Sequence, residues 1–138
     1  MLQNLSFTIQ NLKDAYKNGL SPKDVINEIF NRIKIIDDQN IFINLSNLDS
    51  LYNQANNLGS FNPNMPLWGI PFTVKDNIDV NKIETTAGCS EFSYIPENDA
   101  FTVNLLKKSG ALMIGKTNLD QFATGLVGLR SPYGAPLN

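Results

Sequence analysis

Lys75 is the side chain in this sequence best suited to acid–base chemistry. The 138 residues include no histidine, which excludes Ser-His-Asp and Cys-His catalysis and histidine-based metal sites within the chain. A general base must therefore be Lys, Asp, Glu or Tyr. Lys75 stands in Thr73-Val-Lys-Asp-Asn-Ile-Asp79, where an apolar strand pattern ends in a group of polar residues. Sites in open α/β sheets form at that end of the strands, and a desolvated lysine can act as a neutral base. The alternative is an ordinary solvated lysine.

A second lysine stands in a misleading pattern. Gly110-Ala-Leu-Met-Ile-Gly115-Lys116-Thr117 matches the phosphate-loop motif G-x-x-x-x-G-K-[ST]. That motif needs its four intervening residues in a loop, with N–H groups free to hold phosphate. Here those residues are apolar and typical of a strand, and the preceding segment is typical of a helix. We therefore expect no nucleotide site in this segment.

Helical periodicity dominates the first part of the chain. Ser21, Pro22 and Asp24 form a clear start signal for the second of three expected helices. Gly19 and Gly59 are typical residues for helix ends. The apolar spacing predicts helices over 9–16, 22–36 and 48–58.

Mixed patterns follow the turn-rich segment 62–66. The predicted elements are a strand over 70–80, a helix over 99–109, a strand over 111–114 and one or two helical turns over 119–123. Strand, helix and strand in this order predict a βαβ unit with a parallel sheet. The expected class is α/β, with an all-helical arm over 1–60 and an α/β core that starts at 66 and runs to 138.

Composition limits the possible partners and the location. The net charge of −2 and the pI of about 4.9 provide no basic field for nucleic acid or an anionic membrane. No apolar run approaches the ~20 residues of a membrane span, and the N-terminus lacks a signal-peptide pattern. Cys89 is the single cysteine, which fits a reducing compartment. We expect a cytoplasmic protein that binds neither nucleic acid nor membrane.

Several segments together resemble the amidase signature family. The resemblance begins with Pro66-Leu-Trp-Gly-Ile-Pro-Phe-Thr-Val-Lys-Asp-Asn-Ile-Asp-Val80 and continues with Thr85-Thr86-Ala87-Gly88-Cys89. Ala111-Leu-Met-Ile-Gly-Lys-Thr-Asn-Leu-Asp120 follows in the same order and spacing. The segment from Asp120 to Gly134 is most similar to the allophanate hydrolase branch; the alternatives are other amidases and the amidotransferase A subunit.

The resemblance implies a Ser–cis-Ser–Lys triad on an α/β/α sandwich. Lys75 would act as base on a bridging serine, which activates the nucleophilic serine that attacks an amide carbonyl. Thr124 and Gly125 would line the acyl site, although both can equally be ordinary loop residues. The implied reaction converts allophanate to ammonia and carbon dioxide and needs no metal or organic cofactor.

The sequence departs from the family where the serines should be. It contains no G-G-S-S-x-G-S motif, and Ser90, Ser93 and Ser131 lack the glycine context. The chain is therefore expected to resemble the N-terminal part of an amidase domain, with an incomplete sheet. Three hypotheses follow: half of an amidase completed by a separately encoded second half, an inactive remnant, or an interaction module.

Overall fold

The computed structural model describes residues 2–137, and of Gln3 the backbone only. No helix in this range is both long enough and apolar enough to cross a membrane. The helices longer than one turn are α1 (Ile9–Lys17), α2 (Pro22–Ile36), α3 (Leu48–Asn57) and α4 (Phe101–Lys108). The strands are β1 (Phe42–Leu45), β2 (Pro71–Lys75) and β3 (Leu112–Thr117). The predicted α/β class is confirmed.

The strands form a sheet in the order β1-β3-β2. β1 runs antiparallel to β3, and an irregularity interrupts their register between Phe42 and Asn44. β2 and β3 run parallel, because the flanking hydrogen bonds advance along both strands in the same direction. These bonds join Leu112 N to Ile70 O at 2.9 Å and Asp76 N to Thr117 O at 3.1 Å. With α4 between them, β2 and β3 form the predicted parallel strand–helix–strand unit.

The structure corrects four element predictions. The segment expected to be all helical contains β1, a four-residue strand rich in apolar residues. The strand predicted over 70–80 ends at Lys75, whose carbonyl accepts a turn hydrogen bond from Ile78 N at 3.0 Å. β3 continues past the predicted 114 to Thr117, and the turns predicted over 119–123 reduce to a 3-10 turn at Gln121–Ala123.

α2 begins as its sequence signals predict. The side chain of Ser21 accepts a hydrogen bond from Asp24 N, and the Asp24 carboxylate accepts one from Ser21 N, both at 3.2 Å. This reciprocal capping box satisfies two N–H groups that the first helical turn leaves free. Pro22 occupies the first helical position, where its missing N–H costs nothing.

One compact unit comprises the chain up to Asp37, Ser46–Phe72 and Leu106–Met113. Trp68 lies at its centre, edge-to-face with Tyr16 at 5.1 Å and with Phe61 at 5.3 Å between ring centroids. The buried Tyr16 hydroxyl donates to the Gly69 carbonyl at 2.7 Å, and burial raises the pKa of this phenol. The other buried members of this core are Leu12, Val25 and Ile70.

The second compact unit comprises Asp38–Leu45, Thr73–Leu105 and the chain from Ile114 onward. Hydrogen bonds from Asn118 connect three segments of this unit. The backbone N–H of Asn118 donates to Ile41 O, and its side-chain amide donates to Asn40 O and to Gly134 O, each at 2.9 Å. All three residues singled out by the sequence for chemistry or binding belong to this unit.

Candidate functional site

Lys75 ends β2 and is exposed to solvent. The strand alternates, with Thr73 and Lys75 outward and Val74 and Asp76 buried. The side chain of Lys75 is therefore exposed at the carboxyl end of a strand. Reactive groups in α/β sheets lie at that end of the strands. Acting as a neutral base would require that water be removed from around this side chain, because desolvation disfavours the charged form.

Asp76, the next residue, is fully buried in an ion pair with Lys116 of β3. The Lys116 ammonium lies 3.1 Å from Asp76 Oδ1, donates to Thr85 Oγ1 at 2.9 Å and reaches Glu84 O at 3.3 Å. Lys116 lies beyond the strand predicted over 111–114, in the part of β3 that the prediction did not include. The lysine of the phosphate-loop pattern faces a carboxylate inside the protein.

The two carboxylate oxygens of Asp76 have different partners. Oδ2 accepts hydrogen bonds from Thr86 N at 3.0 Å and from Thr86 Oγ1 at 2.5 Å. Within residues 2–137, Oδ1 has no hydrogen-bond partner, and the Lys116 ammonium lies 3.1 Å from it. A buried carboxylate is stable only with such compensation, so this network fixes the backbone immediately after Lys75.

Thr124 and Gly125 lie in the loop that follows β3. The Thr124 side chain is exposed, and its hydroxyl donates to Gln121 O at 2.7 Å, which closes a tight turn. Gly125 packs so closely on Asp120 that an added Cβ would overlap the carboxylate of that residue. In the described residues, no hydrogen bond joins Lys75 directly to Thr124 or Gly125. Their predicted roles in catalysis and binding stay predictions.

Asp120 organises the loop that contains these two residues. Its carboxylate accepts backbone N–H groups from Arg130 at 2.7 Å, Gly128 at 3.0 Å and Val127 at 3.2 Å. The hydrogen bonds from the Arg130 and Gly128 N–H groups hold the pKa of the Asp120 carboxyl below its usual value. One carboxylate therefore sets the shape of residues 125–130.

Acidification is expected to release this loop. Because the folded pKa of Asp120 lies below the ordinary 3.8, the carboxylate stabilises the fold above that ordinary value. This contribution is lost as the pH falls through the folded pKa. An NMR titration should show the Gly128 and Arg130 amides moving together in this acid range. Asp120→Asn should abolish that shared titration; an unchanged titration in the variant would show that another group is responsible.

Sequence reasoning missed Asp76, Thr86 and Lys116 as parts of the site. A lysine inside a strand of otherwise apolar residues signals a buried charge that needs a partner. Asp76 follows Val74 by two residues, so strand alternation places both side chains on the buried side. Within residues 2–137, no three His, Cys, Asp or Glu side chains converge to form a metal site.

Known proteins are similar to this chain over most of its length. The chain is 42% identical over 135 residues to urea amidolyase of Saccharomyces cerevisiae, covering 95% of this chain and 7% of that protein. The solved structure of Kluyveromyces lactis allophanate hydrolase matches at 40% identity and a TM-score of 0.78, covering 94% of this chain and 22% of that one. The A subunit of glutamyl-tRNA(Gln) amidotransferase from Listeria monocytogenes is 37% identical, over 86% of this chain and 26% of that protein.

The chain therefore spans a small part of these relatives, between 7% and 26% of their lengths. The mixed α/β fold is shared with the solved allophanate hydrolase. The family model described as Amidase matches residues 24–138, which is most of the sequence. By sequence and by fold, this chain belongs to the amidase family.

Proposed function

We propose that this chain supplies the lysine-bearing part of an amidase that hydrolyses allophanate to ammonia and carbon dioxide. The observation that carries the proposal is Lys75, exposed at the carboxyl end of β2 within a Val-Lys-Asp-Asn motif and anchored by the buried Asp76. The likeness to urea amidolyase and to allophanate hydrolase supports the substrate. No metal or organic cofactor is part of the proposed reaction.

In this proposal Lys75 is the general base. It takes a proton from a bridging serine, which in turn takes the proton of the nucleophilic serine as that oxygen attacks the amide carbonyl. The proton taken by Lys75 returns through the bridging serine to the leaving nitrogen, which departs as ammonia, and water then hydrolyses the acyl-serine. The released N-carboxycarbamate loses both carboxylates as carbon dioxide, which leaves the second ammonia. Both serines must come from outside this sequence, which contains no G-G-S-S-x-G-S motif.

A separately encoded second amidase half is the proposed partner. Exposed apolar side chains in the Lys75-containing unit support an interaction surface. Phe92 contacts Tyr94 and Phe122 edge-to-face, yet all three rings are exposed, and Leu126 is fully exposed. A covering partner would also remove water from Lys75, as base chemistry requires. A reducing, cytoplasmic location is part of the proposal.

Complementation tests this function. We expect the 138-residue chain alone to release no ammonia from allophanate, because it has no serine nucleophile in the family context. The chain should gain activity when co-expressed with Kluyveromyces lactis allophanate hydrolase lacking its matching segment. Each piece alone is the control. Two pieces that co-purify without releasing ammonia contradict the proposal.

The likeness to the A subunit of glutamyl-tRNA(Gln) amidotransferase favours a second candidate, the corresponding part of an amidotransferase A subunit. Complementation of each relative lacking its matching segment distinguishes the two candidates, because the chain should restore activity to only one of them. The interaction-module hypothesis predicts something different. It requires that the chain alone be a monodisperse monomer that melts cooperatively and does not bind a hydrophobic dye.

A further inference from the structure

Asp76 joins the end of β2 to a neighbouring turn through both its backbone and its side chain. Its N–H donates to Thr117 O at 3.1 Å, and its carbonyl accepts from Ala87 N at 3.2 Å. Its Oδ2 accepts the two bonds from Thr86. Every one of these bonds involves Asp76, which is the residue after Lys75. The path of the chain at Lys75 therefore depends on them.

The turn at Thr86 also contacts the loop that contains Thr124. The Ala87 carbonyl accepts the Phe122 N–H at 2.8 Å. Gly88 donates its N–H to Thr86 Oγ1 at 3.1 Å, and a Cβ on Gly88 would lie 3.1 Å from Gln121 Cα. The two turns are therefore in backbone contact.

Unusual backbone conformations mark both turns. Ala87 has φ of 51°, and Phe122 and Ala123 have φ of 51° and 57°, all in the left-handed region that favours glycine. Non-glycine residues keep such conformations only where the surrounding structure over-determines them. The hydrogen bond between Ala87 and Phe122 joins two of these residues directly. The Thr86 hydroxyl stabilises the turn that makes this contact, because it hydrogen-bonds to both Asp76 Oδ2 and Gly88 N.

We propose that Asp76 and Thr86 are positioning residues, which hold Lys75 and the Thr124–Gly125 turn in one fixed arrangement. The catalytic meaning of this arrangement rests on the proposed function, since it matters for turnover only if Lys75 is the base. The Thr86 hydroxyl is the key group because it donates to Asp76 and accepts from Gly88 at the same time.

Matched variants at Thr86 test the proposal by NMR on the isotope-labelled chain. Thr86→Val keeps the shape but loses the hydroxyl, and Thr86→Ser keeps both of its hydrogen bonds. In Thr86→Val we expect amide exchange at Phe122 to accelerate about fivefold to tenfold, the effect of losing a net buried hydrogen bond. The amide signal of Lys75 should also shift. Thr86→Ser should restore both values, and Thr102→Val, on the exposed side of α4, should change neither.

A uniform effect would overturn the proposal. If Thr86→Val accelerates exchange equally at Phe122 and at Leu51 in α3, the hydroxyl contributes only to global stability. Unchanged exchange at Phe122 or an unchanged Lys75 signal also overturns it.

A second measurement needs no variant. In the wild-type chain the amides of Thr86, Ala87 and Phe122 should open with one common free energy, and a Phe122 amide that exchanges much faster than that of Ala87 contradicts the coupling. Exchange is independent of turnover, so a failure here is distinguishable from a failure of ammonia release.

Discussion

Lys75→Ala is expected to lower ammonia release by the complemented amidase by about 10²–10⁴-fold, the usual contribution of a positioned general base. The loss should appear in kcat, because the base acts on the reacting serines. Stability should change by no more than about 0.5 kcal/mol, since the side chain is exposed in the chain. Steady-state assays with allophanate and a denaturant titration measure the two effects separately.

Two further variants sharpen this test. Lys75→Arg should be as inactive as Lys75→Ala, because a guanidinium stays charged and cannot accept a proton. Lys108→Ala removes another exposed lysine, in the last turn of α4, and should leave ammonia release unchanged. A Lys75→Arg variant with wild-type kcat would exclude Lys75 as the base and leave it only a charge role.

Local sequence signals predicted the helices well. Caps and i, i+4 spacing act within a few residues, so the start of α2 at Pro22 could be deduced from Ser21 and Asp24. β1 could not be deduced in this way. It is four residues long, and its partner strand β3 begins at Leu112, so its pairing depends on a contact distant in sequence.

The site was predictable only in part, because its motifs are local in sequence whereas its contacts are not. The Val-Lys-Asp-Asn motif identifies Lys75 as a candidate, and the loop resemblance identifies Thr124 and Gly125. The groups that fix their surroundings are separated widely along the chain, as Asp76 is from Lys116. Alternation in β2 places Asp76 inward but cannot name its partner. Backbone strain at Phe122 has no sequence signature, because phenylalanine rarely adopts a positive φ.

Lys116→Met should destabilise the folded chain by about 3–5 kcal/mol, because it leaves the Asp76 carboxylate buried without its counter-charge. Methionine approximates the length of the lysine stem, so the lost charge rather than a cavity should dominate the effect. The midpoint of urea unfolding measures it. Lys108→Met, at an exposed position, is the matched control and should shift the free energy of unfolding by no more than about 0.5 kcal/mol.

The double variant Lys116→Met with Asp76→Asn shows whether charge is the cause. Each single change leaves one buried charge uncompensated, whereas the double change removes both charges. An asparagine oxygen can still accept the hydrogen bonds from Thr86, so the turn keeps its anchor. The double variant should therefore be more stable than the two single losses would predict by addition, with a coupling of about 0.5–3 kcal/mol. Strict additivity would contradict the ion pair as the source of stability and would assign the single losses to packing around Lys116.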